Sequence, residues 1–157
     1  GAKMNKAKLA QVDLSKADLS GANLTGADLT ESNLRDCDLS RANLTEAILQ
    51  KANLKSTFLI GANLQKTDLT DVNLEGANIS GVKLGKANCQ KANMKNVDLQ
   101  RSDLEHADFA QADLAGANLT GSKLVDAHFK NANLTGANLN LTDTTDTDFS
   151  DAKGYNS

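Results

Sequence analysis

An apolar residue, usually leucine, recurs every five residues along this chain. In "SKADLSGANLTGADLT", residues 15–30, Leu19, Leu24 and Leu29 each follow Ala-Asp or Ala-Asn. The register runs unbroken from Met4 to Phe149, thirty units in all. An α-helix repeats after about 3.6 residues and a strand after two, so a period of five suits neither.

Position by position, the unit has two inward sites and three outward ones. The central residue is Leu in 22 of 30 units. The others are Met4, Ile79, Cys89, Met94, Phe109, Phe129, Phe149 and one polar exception, Thr144. Two residues earlier the side chain is always small, Ala in 18 units and otherwise Val, Ser, Thr or Cys. One residue before the centre stands Asp or Asn in 23 units. The two positions after the centre are mostly polar or glycine. A short extended piece followed by a sharp turn produces this pattern. Four such units close a square, and twenty-residue coils then stack through parallel-strand hydrogen bonds at ~4.8 Å. Leucines and alanines fill the narrow interior, which leaves no pore and no pocket.

The A(D/N)LXX pattern resembles the pentapeptide-repeat family over essentially the whole chain. The resemblance implies an all-β fold, a right-handed quadrilateral β-helix or β-solenoid. Thirty units give about 7.5 coils of four pentapeptides, a rod roughly 36 Å long. The expected domain is a single β-helix over residues 2–153, with a C-terminal tail over 154–157. Eight of eleven glycines fall two residues after a centre. Seven of these lie on two of the four corners. A type II turn wants positive φ there. That geometry is therefore expected at those two corners, with more varied turns at the others.

Residues twenty apart should stack. Phe109, Phe129 and Phe149 then form one inner column, and Asn33, Asn53, Asn73 and Asn93 an outer amide ladder. Charges alternate in sign along Glu31, Lys51, Asp71 and Lys91. They alternate again along Lys83, Asp103, Lys123 and Asp143, and along Lys55, Glu75 and Lys95. Such ladders avoid like-charge stacking and are expected to leave fewer charges free for a partner.

The net charge of -3 is unevenly placed: +1 over residues 1–55, +2 over 56–95 and -6 over 96–157. Neither end is a basic nucleic-acid-binding tail, and no direct nucleic-acid binding is expected. No run of ~18 apolar residues exists, so no membrane span is expected. A signal segment is absent as well, which makes the cytoplasm the default expectation.

No catalytic, cofactor or metal site is expected. Cys37 and Cys89 occupy inward positions about 12 Å apart along the axis, too far for a disulfide. His106 and His128 lie on adjacent coils near Asp108 and Asp126, but a structural zinc site takes four ligands. Asp98, Asp103, Asp108 and Asp113 ring one coil at the position the repeat itself fills with Asp or Asn, where short side chains bond to turn backbone. No nucleophile–base pair, phosphate loop or dinucleotide fingerprint is present. The departures from the pattern are Ile48, Phe58 and Ile60. In "STFLIG", Phe58 stands where Asp or Asn belongs and Ile60 just after Leu59. Both point outward on one side, with Ile48 on the opposite side. Phe58 and Ile60 are the candidate interaction residues.

The sequence therefore reads as a non-catalytic structural or protein-interaction module, a rigid rod whose partner is an unidentified protein. The alternative is a mimic of B-form DNA that inhibits DNA gyrase or another topoisomerase, as some members of the resembled family do. Only the acidic final third supports it. The terminal coils differ: Thr142, Thr144 and Thr147 make the last one polar, while Met4 and Leu9 open the first in full register. The expected state is a monomer or a weak end-to-end homodimer through the N-terminal coil.

Overall fold

The computed structural model describes residues 1–155. They form a four-sided β-solenoid, with no helix among them. Parallel bridges join every residue before a centre to the one twenty further on, from Lys3↔Asn23 to Asn133↔Lys153. One coil is thus twenty residues throughout. We number the faces by their central residues. Met4, Leu24 and Leu44 lie on the first, Leu9 and Leu29 on the second, Leu14 and Leu34 on the third. Leu19, Leu39, Leu59 and Ile79 lie on the fourth.

A single unit, Ala22 to Gly26, shows why five residues suffice. The Ala22 N–H closes the preceding turn on the Leu19 carbonyl at 3.0 Å. Asn23 donates to Ala2 of the previous coil at 2.8 Å. Leu24 and Gly26 donate to Asn43 and Thr45 of the next coil at 2.7 and 2.9 Å. The remaining donor, Thr25 N–H, is taken by the Asn23 side chain at 3.1 Å. All five donors are paired, which a buried backbone requires.

The last of these bonds explains the Asp/Asn column. Each of the 23 Asp and Asn side chains one residue before a centre accepts the N–H two residues on. The residue type is dictated by the turn, not by chemistry on a substrate.

The corners correct the expectation of varied turns. Every one of the thirty residues two after a centre has positive φ, eight glycines and 22 others. Lys51 (φ 56°), Arg101 (φ 54°) and His106 (φ 59°) adopt it as Gly76 (φ 65°) does. With the i to i+3 backbone bond at these corners, the geometry is type II on all four. The left-handed conformation costs an ordinary residue about 1–2 kcal/mol. Stacking identical turns on the fixed ladder overrides that local preference.

The interior is filled. Centres from Leu24 to Leu134 are buried, as are the small residues between them. Inward hydroxyls return their protons to centre carbonyls one coil back: Thr57 to Leu34 at 2.9 Å and Ser122 to Leu99 at 2.6 Å. The Ser32 hydroxyl has no such partner. Phe109 and Phe129 stack at 4.8 Å, and Phe129 and Phe149 at 5.2 Å. Tyr155, within the stretch expected as a tail, continues this column on Phe149 at 3.8 Å. Gly154 permits the approach, since a Cβ there would meet the Thr135 backbone at 2.6 Å. Asn156 and Ser157 of that expected tail lie outside the described residues.

Candidate interaction face

Phe58 and Ile60 sit on the fourth face, 50% and 45% exposed. Their neighbours above and below are the ordinary residues of the repeat: Asp38 and Ser40 in one coil, Asn78 and Ser80 in the other. In those coils the Asp38 and Asn78 oxygens accept the N–H of Ser40 and Ser80 at 2.8 and 3.2 Å. Phe58 has no such acceptor. The substitution therefore removes a turn hydrogen bond and places an aromatic ring in water. Two shallow depressions flank Ile60. One is lined by Ser20, Gly21, Asp38, Ser40 and Arg41, the other by Ser80, Gly81, Asp98, Gln100 and Arg101. An apolar ridge thus lies between two notches, each holding one acid and one arginine. Ile48, on the opposite second face, is 41% exposed but stands alone there.

A third depression lies on the first face at Gly85, where the missing side chain opens a notch between Gln65 and Glu105. Lys66, Lys86, Asp103 and His106 rim it. Lys66 is engaged by Glu46 at 3.3 Å and His106 faces Asp126 at 3.6 Å. No three potential metal ligands converge among the described residues.

The other sequence candidates take structural roles. Cys37 and Cys89 are free and buried, and burial raises both thiol pKa values, which keeps them protonated and unreactive. Asp98, Asp103, Asp108 and Asp113 each cap their own turn. Hydroxyl donation from Ser15, Ser20, Thr30, Thr145 and Ser150, and then their N–H groups, lowers the pKa of Asp13, Asp18, Asp28, Asp143 and Asp148.

The amide ladder forms in part, over three of its four expected members: Asn73 donates to Asn53 at 3.5 Å and Asn93 to Asn73 at 3.2 Å, with no such link between Asn33 and Asn53 among the described residues. Two separate rungs of the same column lie outside that run, Asp13 accepting from Asn33 and Asp113 from Asn133. Of the expected charge ladders only Lys55–Glu75 closes, at 3.1 Å. Lys95 pairs instead with Asp113 at 3.2 Å, and the other alternating charges stack without ion-pair contact among the described residues. The expectation that they would be occupied within the rod is thereby corrected.

The sequence matches the family model for pentapeptide repeats in 8 copies, over residues 1–36, 22–59, 37–76, 47–85, 73–111 and 112–151. Comparison with curated proteins returned no match. Among solved structures, HetL resembles the chain with a TM-score of 0.58 and 32% identity. HetL is a pentapeptide repeat protein involved in heterocyst differentiation regulation in the cyanobacterium Nostoc sp. strain PCC 7120. The match covers 99% of this chain and 78% of HetL. QnrB1, a plasmid-mediated fluoroquinolone resistance protein, resembles it at a TM-score of 0.50 and 21% identity, over 98% of this chain and 88% of that one. The second likeness is one of fold alone.

Proposed function

This chain belongs to the pentapeptide repeat family, and we propose that it is a non-catalytic interaction module. In this reading it is one right-handed solenoid of about 7.5 coils over residues 2–153, with 154–157 as its tail. It presents the fourth face to a protein partner, and Phe58 and Ile60 are the contact residues. One observation carries the reading: at a single unit the repeat gives up its turn hydrogen bond to expose two apolar side chains, 50% and 45% open. A packed rod gains nothing in stability from that exchange, whereas aromatic anchors are what binding hot spots commonly use. The filled interior supports a docking role, since substrates are ordinarily held in concave sites.

The test is capture of proteins from source-cell extract by the wild type and by Phe58→Asn/Ile60→Ser. The double variant restores the residues of the next coil and should keep the fold. A partner held by the wild type should be lost from the variant. Equal capture by both would contradict the reading. Weak end-to-end association of the 157-residue chain through the first coil belongs to the same proposal, because Met4, Leu9, Leu14 and Leu19 are only partly buried there.

The second reading, a DNA mimic acting on a topoisomerase, rests on the -6 charge of residues 96–157. A gyrase supercoiling assay decides it. Inhibition by added protein would favour it, and unchanged supercoiling would remove it.

A further inference from the structure

The four faces show different chemistry outward. None of the fourteen lysines lies on the fourth face, but two of the three arginines, Arg41 and Arg101, do. Three of the five exposed large apolar side chains, Phe58, Ile60 and Leu141, are also there. Protein interfaces are depleted in lysine and enriched in arginine and aromatic residues.

The charges on this face are unpaired. Neither arginine makes an ion pair within the chain among the described residues, and neither does Asp38 or Asp98. Each aspartate uses one oxygen on its turn, at 2.8 Å from Ser40 N–H and 3.1 Å from Gln100 N–H. At both levels the acid is one residue before the centre and the arginine two after it. Asp therefore stands toward one long edge of the face and Arg at the other. The two levels are three coils apart, ~14 Å, with Phe58 and Ile60 between them.

A two-fold axis parallel to the rod, in the plane of contact, exchanges the two edges at every level. It sets Asp38 of one copy against Arg41 of the other and Asp98 against Arg101, each pair occurring twice. It also sets Phe58 on Ile60 twice, and brings no two like charges together. A two-fold axis across the face, midway between the coils of Phe58 and Asn78, would set Asp38 on Asp98 and Arg41 on Arg101. From this complementarity we infer that the fourth face joins two copies of this chain side by side and parallel. The contact is isologous, as two-fold interfaces are. It is also small. A face ~34 Å long and ~10 Å wide offers well under the ~800 Å² per partner of a standard interface. The dimer is therefore weak and concentration-dependent.

The inference rests on Phe58 and Ile60 being a contact patch, and the experiment separates the two claims. Sedimentation equilibrium up to ~1 mM compares the wild type with R41D/R101D, D38R/D98R, F58N/I60S and L9K. The wild type should dimerise, and so should L9K. The first three variants should each bind themselves at least ~tenfold more weakly. An equimolar mixture of R41D/R101D and D38R/D98R should recover the dimer. If D38R/D98R loses its fold by circular dichroism, D38N/D98N keeps the turn bonds and should still weaken the dimer. A wild type that stays monomeric overturns the homodimer and leaves the patch to a different protein. A dimer lost in L9K but unchanged in the face variants overturns it in favour of the end contact. A dimer weakened by the charge variants but indifferent to F58N/I60S contradicts the patch itself.

Discussion

At the scale of single residues, the turn acceptor is the recurring device. Phe58→Asn should return an acceptor to the Ile60 N–H and remove an exposed ring. A net hydrogen bond is worth about 0.5–1.5 kcal/mol, so the variant should be more stable by about that amount in urea unfolding. A loss of stability would mean that Phe58 packs on something in the monomer. The same device sets a pH dependence. Asp13, Asp18, Asp28, Asp143 and Asp148 have pKa values below the ordinary ~3.9 of an unfolded aspartate. The stabilisation is complete above that value and is lost as pH falls through the folded pKa values. The urea midpoint should therefore hold from neutral pH to about 5 and drop below about 4. Asp143→Asn/Asp148→Asn should flatten part of that drop, because an amide accepts the same bond without titrating.

At the scale of the repeat unit, inward and outward sites could be read directly. Leucine register and small residues follow from the five-residue period, and the recurrence of Phe109, Phe129 and Phe149 at twenty marks the four sides. The Asp/Asn role was legible too, because short acceptors at a fixed offset from a turn have one local use. The corners were not. Glycine marks positive φ only where nothing else favours it, and here 22 of the thirty corner residues are not glycine and are held there by the stacked ladder. Tyr155 escaped notice because it ends a column by a route outside the five-residue register. Two substitutions separate backbone strain from packing. Gly76→Ala puts a Cβ into open space at φ 65° and should cost about 1 kcal/mol from conformation alone. Gly85→Ala has no positive φ and meets only ordinary contacts at 3.7 Å. It should stabilise by about 0.4–1 kcal/mol. Thermal unfolding of the pair should move in opposite directions. Leu74, 1% exposed, tests the interior: Leu74→Ala should cost about 2–5 kcal/mol through the cavity it leaves. A loss below about 1 kcal/mol would contradict a packed core.

At the scale of the whole molecule, the interior is filled and the four faces are unequal. The first three carry all the lysines, while the fourth carries the apolar pair and two unpaired arginines. Sequence alone pointed to Phe58 and Ile60 because they put two large apolar residues at outward positions of one unit, whereas the other units without Asp or Asn before the centre carry Lys, His or the single Ile48 there. It hid the arginines beside them, which become neighbours only after the chain has turned through whole coils. The acidic final third makes specific affinity for duplex DNA unexpected. Tight, steeply salt-dependent binding at physiological ionic strength would contradict that expectation. The central claim is that contact is made through the fourth face, and photocrosslinking tests it most directly. Benzoylphenylalanine would replace Ile60 on that face or Ile48 on the opposite one. Irradiation in source-cell extract should yield a discrete protein adduct, with another protein or a second copy of the chain, from position 60 and not from position 48. Equal adducts from both positions, or an adduct from position 48 alone, would contradict the account.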